Sequence, residues 1–365
     1  MNISRKPGTK DFEASAPTAS ALAPQMAFNA GRVLQCATAD ATSRLRPQTM
    51  KLYVGSCVQF AELFPSGDVE VALPALRQVI DAAPRFEPAW KKLLLGEAIV
   101  AAAAGGADGS AQAVRTHIRA ARSAKLALAE AHLAEAELLP PVDFSGRLRL
   151  VDRAGEIDPE NPFVLFARSV VLMNVGRLNE AVRDAEKASR IDPLSTSMRV
   201  SYILTMAYSG RIPRAFQELR QAEQLSPDVA NLIDARFRLN LRYGDPREAL
   251  RILRQHGTSQ QLDAFLLARI EPTPANIEKA IGIARSSTAQ SSTFSSLIQA
   301  MAAFGRNDEI FDFLMRWPNP AASAADIQVV FRPDLKPLRA EPKNGAILAP
   351  DKYKARAKLF PRRRS

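Results

Sequence analysis

NVGRLNEAVRDAEKASRIDP (residues 174–193), YSGRIPRAFQELRQAEQLSP (208–227) and RYGDPREALRILRQHG (242–257) are three versions of one pattern, and they decide how the chain is read. The turn prolines Pro159, Pro193 and Pro227 fall 34 residues apart, and Gly176, Gly210 and Gly244 keep the same step. An alanine follows each glycine five residues later, at Ala181, Ala215 and Ala249, and a second small position recurs at Ala188 and Ala222. Self-similarity at a fixed period of this length marks a repeat architecture.

The positions specify the physics of one unit. Residues 162–175 (PFVLFARSVVLMNV) predict a first helix, Gly176 supplies a residue able to adopt the left-handed conformation at its end, and residues 178–191 predict a second helix. Small side chains at Ala181 and Ala188 let the two helices approach closely, and the proline after the second helix stops it. Neither helix buries its apolar face alone, so a unit is stable only when stacked on neighbours.

The Gly, Ala, Ala and Pro positions of residues 174–193, repeated at 208–227 and 242–257, resemble the second half of a tetratricopeptide (TPR) repeat. The resemblance runs in register over residues 128–257. It implies an all-α fold, a TPR-like right-handed superhelical solenoid of stacked antiparallel helix pairs. The central first helices depart from the motif: Leu165, Arg199 and Ile233 replace its large aromatic, and Ser169, Ile203 and Phe237 stand at its small position. Looser versions flank this block. GDVEVALPALRQVIDAAPRFEPAW (67–90) places Ala72 and Val79 at the small positions ahead of Trp90, AAAAGGADGS (101–110) breaks the register, and AVRTHIRAARSAKLALAEAHLAEAELL (113–139) adds two helices. TFSSLIQAMAAFGRNDEIFDFLMRW (293–317) restores the helix, glycine, helix pattern around Gly305. The expected organisation is therefore a disordered segment over 1–50, degenerate helical repeats over 51–127, in-register repeats over 128–257, degenerate repeats over 258–330 and a basic, disordered tail over 331–365, with five to seven helical pairs in all.

Composition fits that division. The 365 residues are 47% apolar and 24% charged, which excludes a wholly disordered chain, and 2 cysteines exclude a disulfide scaffold and point to a reducing, cytoplasmic setting. The net charge of +11 raises the question of nucleic acid. Lys plus Arg exceed Asp plus Glu by 6 to 3 in residues 1–50 and by 8 to 2 in residues 341–365, against 35 to 33 in between, so the body gives no reason to expect nucleic acid, for which only the basic ends offer a place. The N-terminal stretch carries no export signal, because Asp11, Glu13, Pro17 and Pro24 interrupt any apolar run, and LLLGEAIVAAAA (93–104) is too short to span a bilayer. VVFRPDLKPLRAEP (329–342) resembles a segment that closes the repeat region in a group of bacterial winged-helix transcriptional regulators. That resemblance implies an alternative function, the sensor or effector portion of such a regulator with its DNA-binding domain missing or separate.

No catalytic constellation emerges, so the chain is read as a non-enzyme without cofactor or metal. His117, His132 and His256 stand apart, Cys36 and Cys57 form no CxxC, and no phosphate-binding glycine loop or nucleophile elbow is present. Asp184 with Glu186 and Asp308 with Glu309 read as solvated charge on polar helix faces. The leading expectation is a protein-protein interaction scaffold that binds a peptide or partner helix in a concave groove. The TPR resemblance maps the groove onto Lys91, His132, Phe166, Val170, Asn174, Tyr208, Asp234, Arg238 and Arg242. Arg238 and Arg242, one helical turn apart, share a face on which they could grip a carboxylate or phosphate.

Overall fold

The computed structural model describes residues 30–31, 33–34, 36–37, 42–60, 67–103, 109–140, 143–226, 229–257, 259–291, 294–316 and 328–340. Among them are seventeen numbered α-helices, two 3-10 turns and no strand. In chain order the helices are α1 (Pro47–Gln59), α2 (Gly67–Ala82), α3 (Glu87–Ala103), α4 (Ser110–Ser123), α5 (Ala129–Glu137), α6 (Phe144–Ile157), α7 (Pro162–Asn174), α8 (Leu178–Ile191) and α9 (Thr196–Tyr208). There follow α10 (Ile212–Leu225), α11 (Ala230–Arg242), α12 (Pro246–His256), α13 (Gln260–Ile270), α14 (Pro274–Ser291), α15 (Ser295–Ala303), α16 (Asn307–Arg316) and α17 (Lys336–Ala340).

The repeat signals act at helix ends. Asn161 and Ser195, placed after the turn prolines, cap α7 and α9 by accepting from the backbone amides of Phe163 (2.9 Å) and Met198 (3.3 Å). Gly176 (φ 78°) and Gly210 (φ 89°) take the left-handed conformation after α7 and α9. There the Arg177 amide donates to the Leu172 carbonyl and the Arg211 amide to the Met206 carbonyl, each at 2.9 Å, so carbonyls left open by the helix end find donors. Gly244 has no positive φ and is needed for space, since a Cβ there would lie 2.7 Å from Phe216 Cζ. The small positions bury completely: Ala181, Ala215 and Ala249 are 0% exposed, Ala188 and Ala222 1%.

Consecutive helices pack against each other along the whole described chain. In addition α3 touches α5, α5 touches α7, α7 touches α9 and α9 touches α11, so these five form a continuous row. The core between them is a series of neighbouring clusters: Leu93, Leu94 and Val164 belong to the first, Ile203, Met206, Leu232 and Leu239 to the third. Each such fully buried aliphatic side chain stabilises the fold by about 1.5–3 kcal/mol relative to exposure.

Both ends depart from the expected disorder. α1 starts at Pro47, a 3-10 turn occupies Thr42–Arg44, and Cys36 is joined to Cys57 with a Cα–Cα distance of 6.1 Å, within the range a disulfide spans. At the other end residues 331–340, expected in the tail, fold onto the body together with 328–330. Val329, Val330, Leu335 and Leu338 are buried in one cluster with Leu241, Phe265 and Leu297, so apolar burial favours the docked segment. The rest of the basic tail and residues 1–29 lie outside the described residues. No described helix is long and apolar enough to cross a membrane.

Candidate binding surface

The nine groove candidates lie on the row α3, α5, α7, α9 and α11. Lys91 on α3 is half-buried, with Nζ 3.6 Å from Asp158. His132 on α5 meets Glu135 at 3.1 Å, and Glu135 also takes Arg122 at 2.8 Å, so this histidine shares a carboxylate with an arginine. Phe166, Val170 and Asn174 follow one another at single-turn spacing on α7 and are all half-buried, Phe166 packing on the N-terminal core cluster.

Asn174, Tyr208 and Arg242 occupy the same register position in three successive units, at the C-terminal ends of α7, α9 and α11. Across those ends runs the segment 331–334. Phe331 lies against Gly176, where a Cβ would come within 2.6 Å of its ring, and Pro333 passes Gly210, where a Cβ would lie 3.9 Å away. Between them the Arg332 guanidinium sits 4.9 Å from the centroid of the Tyr208 ring, and the Arg242 guanidinium 5.8 Å from the same ring. Arg339 fixes the turn by donating from Nη1 to the carbonyls of Val330 (2.6 Å) and Arg332 (2.8 Å).

Arg238 and Arg242, expected to share a face, have different side-chain partners. Arg238 Nε lies 2.8 Å from Asp234 Oδ2 on its own helix, an exposed i,i+4 ion pair, while Arg242 turns to Tyr208. The structure thus brings Tyr208, Asp234, Arg238 and Arg242 into one neighbourhood, leaves Lys91 against Asp158 and His132 against Glu135, and adds Arg332, Asp334 and Tyr243. Arg332 and Asp334 escaped the sequence reading because 331–365 read as tail, and Tyr243, next to Arg242 in the quoted repeat, carries no periodic signal of its own. The period of 34 carried from Asn174 through Tyr208 to Arg242 was the signal for the helix side of the cluster.

Electrostatics in this neighbourhood are strongly coupled. Burial raises the Tyr208 phenol, but the guanidiniums of Arg242, Arg332 and Arg238 outweigh it and hold the phenol below its ordinary value. Burial, then Asp334, pushes the Tyr243 phenol well up. Burial lowers Arg332, with Arg242 adding repulsion, and burial raises the Asp334 carboxyl against the pull of Arg332.

Two further buried charges are paired rather than solvated. Asp184, read from the sequence as surface charge, is 8% exposed and takes a two-point contact from Arg168 (2.8 and 3.3 Å), and burial raises its carboxyl. Glu97, 3% exposed, accepts from Arg77 at 2.8 Å and faces His117 Nδ1 at 2.7 Å. Among the described residues no group of three or more His, Cys, Asp or Glu side chains is placed to hold a metal ion. Compared with known proteins, the chain matches no family model and no curated protein.

Proposed function

We propose that the chain is a TPR-like solenoid that works as a non-enzymatic interaction scaffold, taking a peptide or a partner helix along the row of its first helices. The observation that carries this reading is the row itself. Helices α3, α5, α7, α9 and α11 touch in succession, and Lys91, His132, Phe166, Val170, Asn174 and Arg242 on them are half-buried, neither packed away in the core nor fully solvated. Phe166 and Val170 supply apolar contact, with Lys91 and His132 as polar positions along the same row. Such a mixed surface suits an amphipathic ligand laid along several repeats, because each repeat adds one contact.

Panning a random peptide library on the full chain tests it. Selected peptides are expected to lose at least tenfold in affinity, about 1.4 kcal/mol, on Val170→Glu, which places a charge on the row without removing a core side chain. Affinity unchanged by that substitution would move the partner surface elsewhere.

A further inference from the structure

The cluster around Tyr208 has more positive charge and more hydrogen-bond donors than its own residues satisfy. Arg332 is 5% exposed, yet its Nε and Nη1 have no hydrogen-bond partner. Arg242 Nε and the Tyr243 hydroxyl are buried atoms without a partner as well. Native interiors rarely leave such donors unmet, and guanidinium donors least of all, because the buried charge gains nothing in return for its lost hydration.

The nearby acids do not resolve the excess. Asp234 is committed to Arg238 at 2.8 Å. Asp334 sits in the field of Arg332, Arg242 and Arg339 but forms no ion pair within 4 Å among the described residues, and its Oδ1 is itself unpartnered. Arg339 is turned to backbone carbonyls. Two guanidiniums facing one aromatic ring repel each other, and a shared anion is the ordinary means of holding two arginines together. Arg242, Tyr243 and Asp334 are half-buried as residues, so the rim of the cluster reaches solvent while the unpartnered atoms lie beneath it.

We infer that Tyr208, Arg242, Tyr243 and Arg332 form a binding site for a single oxyanion, the phosphate or carboxylate group of a ligand, with Arg332 brought in by the C-terminal segment. The arginines supply the charge and the fork of N–H donors, the Tyr243 hydroxyl a third donor, and the Tyr208 ring the platform that orients both guanidiniums. This site stands independently of the peptide-row reading: it requires only the docked segment 328–340.

Thermal unfolding of the full chain tests the inference at constant ionic strength, with chloride as the balancing ion. The probes are inorganic phosphate, an acetylated dipeptide with a free C-terminal carboxylate, and the same dipeptide as its amide. The expected result is a saturable rise in Tm with phosphate, with the free-acid peptide or with both, which identifies the source of the oxyanion, and none with the amide. Arg242→Gln and Arg332→Gln are each expected to weaken the apparent Kd at least tenfold, while Arg251→Gln, exposed on α12 and paired with Glu248, leaves it unchanged. Should Arg332→Gln fail to fold, Arg242→Gln alone and Arg332→Lys, which keeps charge but loses the fork, carry the test. No saturable shift with either anion, or an equal shift in wild type and Arg242→Gln, overturns the site.

Discussion

At the scale of single residues, three glycines with the same letter and the same spacing are used in two ways. Gly176 combines a left-handed backbone with the close approach of the Phe331 ring. An alanine there meets two penalties, conformational strain of about 1–2 kcal/mol and a steric clash with a packed aromatic. Gly244 is retained for space alone, beside Phe216 and the Asn240 side chain that accepts from the Asp245 amide at 3.0 Å. Urea denaturation should therefore rank Gly176→Ala as the more severe change, with a loss of at least about 2 kcal/mol, and Gly244→Ala as the milder. The reverse order would remove the backbone argument. The sequence marked all three positions, but the letter Gly does not say whether φ or volume is being saved. Asp184 shows the same limit from the other side: its place on a charged stretch read as solvent-facing, and only the packing of α7 on α8 brings Arg168 over it.

At the scale of elements, the repeat helices were legible and the closing segment was not. Helix α8 follows from its turn proline, glycine and two alanines, all local signals. Residues 328–340 contain four buried aliphatic residues, but a 3-10 turn and a five-residue helix are too short to show a period, and the surfaces they cover belong to helices far upstream. Their order is decided by tertiary contact. Leu335, 0% exposed, anchors the 3-10 turn, so Leu335→Ala is expected to cost about 2–4 kcal/mol and to release the segment. Hydrogen exchange should then accelerate across 328–340 and over the helix ends at 174–177 and 208–211, while α3 to α5 keep their protection. Uniform acceleration throughout would mean that the segment is part of one indivisible core rather than a clasp on the repeat ends.

At the scale of the whole molecule, the net charge and the repeat period carry different information. The charge that suggested nucleic acid belongs mostly to the end segments, whereas the period of 34 residues organises the body and places Asn174, Tyr208 and Arg242 at equivalent helix ends. The expected groove residues fall on one row of touching helices, but their partners follow from packing that no register specifies: Arg238 to Asp234, Arg242 to Tyr208, and Arg332 from a segment some ninety residues downstream of Arg242. The central claim is that this far end is tied across the ends of successive repeats, Phe331 against Gly176. A double-mutant cycle of Gly176→Ala and Phe331→Ala, read as unfolding free energy, tests it most directly. Removing the ring should relieve the clash, so that Gly176→Ala costs at least about 1 kcal/mol less in the Phe331→Ala background; additivity within about 0.5 kcal/mol would contradict the contact and the docking of the segment with it.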